Sequence, residues 1–393
     1  MKIAVAHFSS SWVDTSGGVE KTICALSSAM AARGHDVTIL YIEHREGAPY
    51  FPLNQRVKTQ NLLYENGRQI VMDKLPLGLR IYREIARLFS QRKAREINAR
   101  YKGRLYGKRI RQWFASNAVD VVLSVSPMSA KYLLLDGECH APVIEMTRED
   151  PHTGFPALSA PEREAVSRAK WIQVLLPRDE LAAKIYFPDL PVTAIGNAVE
   201  PAKQLAVPGK AKRKHKIINV GTVCSRKNQK LLVEAFADLA GQYPAWDVEI
   251  WGWHGAYYGK ALQQYINKKH LQDRVQLKGV TKDIASVYAD GDIFAYPSES
   301  EGFPNGVLEA MAAGLPVIGL AECHGTDYLV KNGETGFLVK NEVADFRAAL
   351  KKLMDEASLR ERMGRCGLND SLTYAPEKTW DQWEALLKQV AKC

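Results

Sequence analysis

The sequence predicts an α/β fold with two doubly wound parallel-sheet domains. Short apolar runs with the length of buried strands alternate with segments of helical apolar spacing, first from residue 2 and again from residue 217. At 393 residues the chain is long for a single core, since domains average roughly 150 residues. We predict an N-terminal domain over 1–196 and a C-terminal domain over 197–374. For a final helix near 375–393, packing back on the first domain is one option.

The first domain begins with a strand, a glycine turn, a helix and a second strand. Residues 2–8 and Asp36–Ile42 are the apolar runs, and apolar residues between them recur at helical spacing from Val19 to Met30, with Gly34 as the end of the helix. This order is a βαβ unit, which predicts a parallel sheet with helices on both faces. Further strands are predicted at Val121–Val125, Pro142–Met146 and Trp171–Leu176.

The second domain repeats the alternation after a polar, lysine-rich stretch at 203–215, which we interpret as a linker. In open α/β sheets, ligands bind beyond the carboxyl ends of the strands, so residues that follow each strand are the candidates for a site. The predicted strands are Ile217–Gly221, Val248–Trp251, Val275–Leu277, Ile293–Tyr296 and Leu315–Leu320.

One stretch, Ser298–Gly319, combines two acids with a bracketed helix. Glu301 and Glu309 lie on either side of a Gly-Phe-Pro-Asn turn. We predict Asn305 as the N-cap and Gly314 as the C′ residue of a helix of about two to three turns. Its first amide groups and its positive dipole end suit a phosphate, while the acids suit hydroxyl groups. The stretch therefore predicts a nucleotide-sugar pocket, with solvated surface glutamates as the alternative.

This stretch resembles the Glu-x7-Glu signature of retaining glycosyltransferases of family 4. The resemblance implies the GT-B fold, in which two Rossmann-like domains face each other across a cleft, and a metal-independent enzyme of hexosyltransferase type. Further segments that resemble the family are Ile195-Gly196-Asn197, Val220-Gly221 with Lys227-Asn228, Arg274–Gly279 and Thr335–Val339, and, less specifically, Gly17-Gly18-Val19-Glu20.

The resemblance also implies roles for the site residues. Glu301 would lie near the transferred sugar, and Glu309 would bind the nucleotide ribose. Lys227 matches the lysine that binds the diphosphate; the family's arginine position is Thr222 here, and Arg226 is our candidate substitute. Such a cation answers a chemical need, because a leaving diphosphate gains negative charge. The other predicted donor contacts are Gly302, Phe303, Pro304, Asn305, Gly306, Val307 and Val280.

Two places in the first domain are further candidates. Gly17 and Gly18 lie at the first strand-to-helix turn, where a backbone can approach an anion closely; the resemblance implies an acceptor or donor phosphate there, and a plain tight turn is the alternative. Many family members carry a histidine after the fifth strand. The matching segment here contains Arg148, which we predict as the active-centre cation. The alternative is that Arg148 is a surface charge in a loop.

The sequence predicts neither a metal nor a separate cofactor. Asp290-Gly291-Asp292 superficially matches a metal-binding Asp-x-Asp, but it flanks a strand and has no other ligand cluster beside it. The predicted donor is a UDP- or GDP-linked sugar.

The net charge of +9 is concentrated in the basic segment, residues 74–113, which contains 13 Lys or Arg against two Glu. Apolar residues interleaved at helical spacing predict one or two amphipathic helices there. Such helices suit an anionic membrane surface, where each base contributes roughly 1 kcal/mol. A solvated helix face is the alternative. Nucleic-acid binding is disfavoured, because no recognised binding motif accompanies the charge.

The six cysteines are scattered without a C-x-x-C pair, which predicts reduced, mostly buried thiols in a cytoplasmic protein. The apolar run at the N-terminus is too short for a signal peptide, and no run reaches the ~18 residues of a spanning helix. We therefore expect a cytoplasmic protein that is peripheral at the inner face of the cell membrane.

The sequence as a whole predicts sugar transfer to a hydroxyl of a membrane-associated glycan or glycolipid, in polysaccharide or lipopolysaccharide biosynthesis. One alternative is a nucleotide-sugar epimerase or phosphorylase on the same fold, which would form product without an acceptor. Another is a non-catalytic module that binds a nucleotide or anionic lipid.

Overall fold

The computed structural model describes residues 1–8, 11–71, 74–211, 213–255 and 257–392, without the side chains of residues 92, 94 and 95. The chain forms two compact units. The first consists of Met1–Ile195 together with the residues from Trp380 onward, and the second of Gly196–Thr379. Each unit contains one parallel sheet, which confirms the predicted α/β fold class.

The first unit alternates strands and helices. In chain order these are β1 (Lys2–His7), α1 (Gly18–Ala32), β2 (Asp36–Tyr41), β3 (Lys58–Asn61), β4 (Tyr64–Glu65), β5 (Arg68–Gln69), α2 (Leu77–Phe89), α3 (Gln91–Ser116), β6 (Val121–Ser124), α4 (Pro127–Ala130), a π-helical turn (Lys131–Asp136), β7 (Val143–Met146), α5 (Pro151–Ala157), α6 (Ala160–Ser167), β8 (Trp171–Val174), α7 (Asp179–Tyr186) and β9 (Val192–Ala194).

The sheet of the first unit has the strand order β3-β2-β1-β6-β7-β8-β9, with every described pair parallel. The order reverses between β1 and β6, and both of these strands are apolar and buried. Strands β3 and β9 were not predicted. β3 has the polar sequence Lys-Thr-Gln-Asn and β9 has three residues, and both lie at the edges of the sheet.

The basic segment folds into α2 and α3, as its helical spacing predicts. The second half of α3 is part of the core, where Ile110 is fully buried and the ring of Tyr106 lies 5.4 Å from that of Tyr132. No residue of α2 is buried. The side chains of Arg92 and Arg95, two of the segment's bases, lie outside the described part of the chain.

The second unit repeats this alternation. Its elements are β10 (His215–Val220), a 3-10 turn (Ser225–Lys227), α8 (Gln229–Ala237), β11 (Trp246–Trp251), α9 (Tyr257–Lys268), β12 (Val275–Gly279), α10 (Ile284–Asp290), β13 (Ile293–Tyr296), α11 (Asn305–Ala312), β14 (Val317–Leu320), α12 (Thr326–Leu329), β15 (Gly336–Val339), α13 (Val343–Asp355), α14 (Ala357–Ser371), a 3-10 turn (Leu372–Tyr374) and α15 (Pro376–Val390).

The second sheet is parallel, in the order β12-β11-β10-β13-β14-β15. Its core includes the fully buried Phe236, Ile250 and Phe346, and burial of such side chains contributes about 1.5–3 kcal/mol each. The strand order reverses between β10 and β13. In open α/β sheets this reversal marks the usual position of a ligand site.

Helix α11 begins one residue earlier than predicted. Its N-cap is Pro304, so the prediction of Asn305 as N-cap is wrong. The carbonyl of Pro304 accepts from the N–H groups of Val307 and Leu308, and the Asn305 side-chain oxygen instead accepts from Asn197 Nδ2 at 2.7 Å. At the other end Gly314 has φ of 82°, the left-handed conformation expected of a C′ glycine.

The last part of α15 belongs to the first unit and is held by charged groups. Arg33 Nη1 lies 2.7 Å from Asp381 Oδ1 and 3.0 Å from Glu384 Oε2, and His35 Nε2 lies 3.3 Å from Glu384 Oε1. Among the described residues, no helix is both long enough and apolar enough to cross a membrane.

Candidate active site

Three of the predicted site residues meet at the carboxyl ends of β10 and β13. Glu301 Oε1 lies 2.6 Å from Lys227 Nζ and 3.0 Å from Arg226 Nη1. The Ser298 hydroxyl donates to the same oxygen at 2.5 Å. The Glu301 and Lys227 side chains are 11% and 13% exposed, whereas that of Arg226 is half exposed. The fold thus places two cations on one nearly buried carboxylate, at the reversal point of the sheet.

The backbone of two loops fixes this arrangement. The 3-10 turn that carries Arg226 and Lys227 follows β10, and Asn228 ends it in the left-handed conformation, with φ of 49°. Glu299, in the loop after β13, donates its N–H to the Arg226 carbonyl at 2.9 Å. Because this bond joins the two loops directly, the position of Lys227 is coupled to that of Glu301.

A tyrosine that the sequence did not single out completes the cluster. The Lys227 ammonium donates to the Tyr296 hydroxyl and lies 4.8 Å from the centre of its ring. Tyr296 is the last residue of β13 and is 3% exposed. Burial raises the pKa of Tyr296 well above its usual value, and the charge of Glu301 adds to this effect. Tyr296 therefore stays protonated beside the ammonium.

Glu301 is held in its ionised form. Burial by itself would raise the pKa of Glu301, but the charges of Lys227 and Arg226 outweigh it and hold that pKa below its usual value of 4.5. An ionised carboxylate only accepts hydrogen bonds. Glu301 is therefore suited to bind hydroxyl groups, and it is not suited to donate a proton at neutral pH.

Glu309, the second predicted acid, lies one turn into α11. It is partly buried, and its Oε2 accepts a hydrogen bond from the Tyr288 hydroxyl at 3.0 Å. Tyr288 belongs to α10, which precedes β13 in the chain. Nothing in the sequence pattern indicated this contact. The ribose role of Glu309 stays a prediction.

The remaining predicted donor contacts differ in exposure. Phe303 is 6% exposed, and its ring packs at 5.4 Å against that of Tyr374, so its side chain is part of the core. Gly302 and Pro304 are also buried. Val280 follows β12 and is 47% exposed. Any contact of Gly302 or Phe303 with a ligand would therefore use the backbone, while Val280 has an accessible side chain.

The first amide groups of α11 offer less to an anion than the sequence suggested. The Val307 N–H donates to the Pro304 carbonyl at 3.0 Å, so the expectation that it is exposed for a phosphate is wrong. The reason is the early N-cap, which brings the carbonyl of Pro304 within reach of that amide. Asn305 and Gly306 are only partly buried, and amide binding of a phosphate would rest on their N–H groups.

Arg148 lies in the first unit, just beyond the carboxyl end of β7. It is partly buried, its Nη2 lies 3.1 Å from Met146 Sδ, and burial lowers its pKa to about 10. Its neighbour Glu145, on β7, is 1% exposed. Burial raises the pKa of Glu145 to about 8, although Ser124 and Arg148 both lower it. The role of Arg148 in an active centre stays a prediction.

The glycine turn before α1 already faces a carboxylate. Glu20 is 4% exposed, and a Cβ on Gly17 would lie only 2.1 Å from Glu20 Oε2. His7 Nε2 lies 3.3 Å from the other oxygen of Glu20. The start of α1, at Gly18, is therefore next to a buried acid from its own first turn. This geometry favours a tight structural turn over a phosphate contact at Gly17 and Gly18, whose predicted role is otherwise untested.

The Asp290–Asp292 pair takes part in structural contacts. Asp290 Oδ2 lies 2.5 Å from Lys216 Nζ, and the buried Asp292 accepts from the Lys216 N–H at 2.9 Å. In the part of the chain that is described, no group of three or more His, Cys, Asp or Glu side chains is placed to hold a metal ion. The five described cysteines are free thiols, and Cys393 lies outside the described residues.

Comparisons with known proteins find similarity to glycosyltransferases. Residues 202–370 match the family model of glycosyl transferases group 1. An exopolysaccharide phosphotransferase of Streptomyces coelicolor is 26% identical over 400 residues, which cover 96% of this chain and 40% of that protein. A UDP-Gal:alpha-D-GlcNAc-diphosphoundecaprenol alpha-1,3-galactosyltransferase of Escherichia coli is 28% identical over 195 residues, 47% of this chain and 50% of that protein. The chain therefore spans two-fifths to half of the length of these curated relatives.

A solved structure matches over almost the whole chain. Sucrose-phosphate synthase from Thermosynechococcus elongatus aligns with a TM-score of 0.78 at 17% identity, covering 99% of this chain and 98% of that chain. Identity this low carries information on the fold alone. The chain therefore has the GT-B fold, and its match to the glycosyl transferases group 1 family covers residues 202–370 of the second unit.

Proposed function

We propose that the chain is a retaining glycosyltransferase of family 4 type that moves a hexose from a nucleoside-diphosphate donor to a hydroxyl of a glycan or lipid-linked acceptor. The observation that carries this proposal is the cluster of Lys227, Arg226 and Glu301 at the reversal point of the second sheet. The names of the Streptomyces and Escherichia relatives, which refer to exopolysaccharide and to a diphosphoundecaprenol-linked acceptor, support synthesis of a cell-surface glycan.

In this proposal the cations of the cluster bind the diphosphate of the donor, and its carboxylate binds the sugar. Lys227 and Arg226 bind the diphosphate, because both are cations that approach the same point from the loop after β10. Glu301 accepts hydrogen bonds from sugar hydroxyls, since its depressed pKa keeps it ionised. Glu309 accepts from the ribose diol. The donor is a UDP- or GDP-linked sugar.

The reaction breaks the bond between the anomeric carbon and the diphosphate oxygen. The acceptor oxygen forms its bond to the same face of the sugar, and its proton passes to the departing phosphate, so the anomeric configuration is retained. The chief task of the protein is to stabilise the negative charge that develops on the diphosphate. Lys227 and Arg226 supply this charge compensation, and the proposal therefore includes no metal.

We extend the proposal to the surface on which the acceptor lies. Helix α2 presents an apolar face at 50–83% exposure, formed by Leu77, Ile81, Tyr82, Ile85, Leu88 and Phe89. Arg80, Arg83 and Arg87 lie on its opposite side by helical spacing. An apolar face flanked by arginines suits the interface of an anionic bilayer, and this would place the chain at the cytoplasmic side of the cell membrane.

The proposal is tested with the full chain, UDP- and GDP-linked sugars, and lipid-linked or polysaccharide acceptors. A sugar nucleotide should bind, and an acceptor should receive the sugar with its anomeric configuration retained, as read by NMR. Glu301→Ala should abolish transfer, while Glu299→Ala, on the same loop but exposed, should not. Product from the donor alone would indicate an epimerase. Binding without any turnover would indicate a non-catalytic module.

A further inference from the structure

The role proposed for Glu309 depends on where its carboxylate is held. Glu309 lies on α11, and a free glutamate of a helix has several side-chain conformations. The Tyr288 hydroxyl donates to Glu309 Oε2 at 3.0 Å. A hydrogen bond to an ionised group is among the stronger ones in proteins, so it restricts the conformation of the acid.

Tyr288 is itself fixed in place. It is 3% exposed, and its ring lies 5.8 Å from that of the fully buried Phe294, which stacks at 5.7 Å on Tyr296. The row of three rings lies under the first turn of α11, where a Cβ on Gly306 would be 3.5 Å from Phe294 Cζ and 3.7 Å from the Tyr288 hydroxyl. The hydroxyl thus projects from a rigid layer toward the helix that carries Glu309.

The direction of the hydrogen bond is also fixed. Burial raises the pKa of Tyr288 well above its usual value, and the neighbouring charge of Glu309 raises it further. The tyrosine therefore keeps its proton at neutral pH. A carboxylate that accepts a hydrogen bond from this hydroxyl is still an acceptor toward other donors, and an acceptor is what a ribose diol requires.

We propose that Tyr288 is a positioning residue that holds the Glu309 carboxylate in the orientation required to bind the ribose of the donor nucleotide. Tyr288 acts through Glu309 and does not touch the reacting atoms. This inference rests on the proposed function, because it presupposes that Glu309 binds ribose.

The test uses Tyr288→Phe, which removes the hydroxyl and keeps the ring that packs on Phe294. The dissociation constants of UDP and GDP are measured by calorimetry, together with those of their 2′-deoxy and 3′-deoxy forms and of inorganic pyrophosphate. Of UDP and GDP, one should bind to the native chain. We expect Tyr288→Phe to raise the dissociation constant of that nucleotide by about 3- to 10-fold, the usual effect of the loss of one hydrogen bond. Discrimination against the deoxy forms should fall, and pyrophosphate binding should not change.

A double-mutant cycle with Glu309→Gln separates positioning from a general structural effect. If Tyr288 acts through Glu309, the two changes should be less than additive. Glu309→Asp retracts the carboxylate from Tyr288 and should lose ribose discrimination in the same way. Tyr243→Phe is the matched control, because it removes another tyrosine–carboxylate bond, to Asp355 at 2.6 Å, and should leave nucleotide affinity unchanged.

The outcomes distinguish the inference from the function on which it rests. If Glu309→Gln leaves affinity and ribose discrimination unchanged, the ribose assignment itself is wrong. If Glu309→Gln weakens binding but Tyr288→Phe does not, only the inference is overturned. It is also overturned if Tyr288→Phe weakens the binding of pyrophosphate as much as that of the nucleotide. Full additivity of Tyr288→Phe and Glu309→Gln would overturn it as well.

Discussion

The Lys227 ammonium and the Glu301 carboxylate form an ion pair at 2.6 Å in which both side chains are almost nine-tenths buried. The carboxylate has a second cation, Arg226, and the ammonium has a second contact, the Tyr296 hydroxyl. Because the pair stands at the point where the sheet order reverses, its charges face the usual ligand position of such a fold. Changes at either residue should therefore affect both the site's chemistry and its titration.

Lys227→Ala should lower the turnover of the proposed transfer far more than it lowers donor affinity. The ammonium is assigned to charge that develops on the leaving diphosphate, and loss of one such group typically costs about 10²- to 10³-fold in rate. Steady-state kinetics and donor titration measure the two effects separately. Lys230→Ala is the control, since that lysine pairs with Glu234 on the exposed side of α8. A normal turnover in Lys227→Ala would remove this residue from the site.

Glu301 should make stability depend on pH in a defined direction. The pKa of Glu301 is below 4.5 in the folded protein, so its stabilising contribution is complete above about pH 4.5 and is lost as the pH falls through the folded value. The unfolding midpoint of the native chain minus that of Glu301→Gln should therefore shrink on acidification. Glu299→Gln, which alters an exposed side chain of the same loop, should show no such trend. A difference that stays constant between pH 3 and 7 would contradict the assignment.

Glu145 should have the opposite pH dependence. Its pKa is raised to about 8, so between roughly pH 4.5 and 8 the unfolded chain releases a proton that the folded chain retains. The free energy of unfolding then falls as the pH rises through this window, by up to about 1.4 kcal/mol per pH unit. The thermal unfolding midpoint of Glu145→Gln should fall less over the same pH range. The variant should therefore become more stable relative to the native chain as the pH rises. If Glu145→Gln is instead less stable at pH 7 than at pH 5 relative to the native chain, Glu145 is ionised and paired with Arg148.

Replacement of Leu88 and Phe89 with aspartate should release the chain from anionic vesicles. Both side chains are more than 80% exposed on α2, and loss of two such insertions should weaken partitioning by about tenfold or more. Sedimentation with phosphatidylcholine vesicles, with and without phosphatidylglycerol, measures the effect. Leu181 and Ile185, which are exposed on α7, give the matched double replacement that should not alter binding. Equal binding to neutral vesicles, or no binding by the native chain, would contradict a membrane role for α2.

The fold class could be predicted because its determinants are local. Apolar runs such as β1 and β13 are buried on both faces of a sheet, and this composition is visible in the sequence itself. Strands β3 and β9 escaped prediction because edge strands need little apolar surface. The N-cap of α11 was misplaced because Asn305 has a partner, Asn197, that is remote in the chain.

The same distinction applies to the site. The sequence by itself determined the α/β architecture, the two acids on either side of the turn that begins α11 and the basic turn after β10, since each depends on residues that are close in the chain. The tertiary structure alone decided that Lys227 and Arg226 share Glu301, and that Tyr296 and Tyr288 contact Lys227 and Glu309. These contacts join elements far apart in the chain, and no periodicity or spacing encodes them. They arise because parallel strands bring their carboxyl ends to one edge of a sheet, where side chains from separate loops meet.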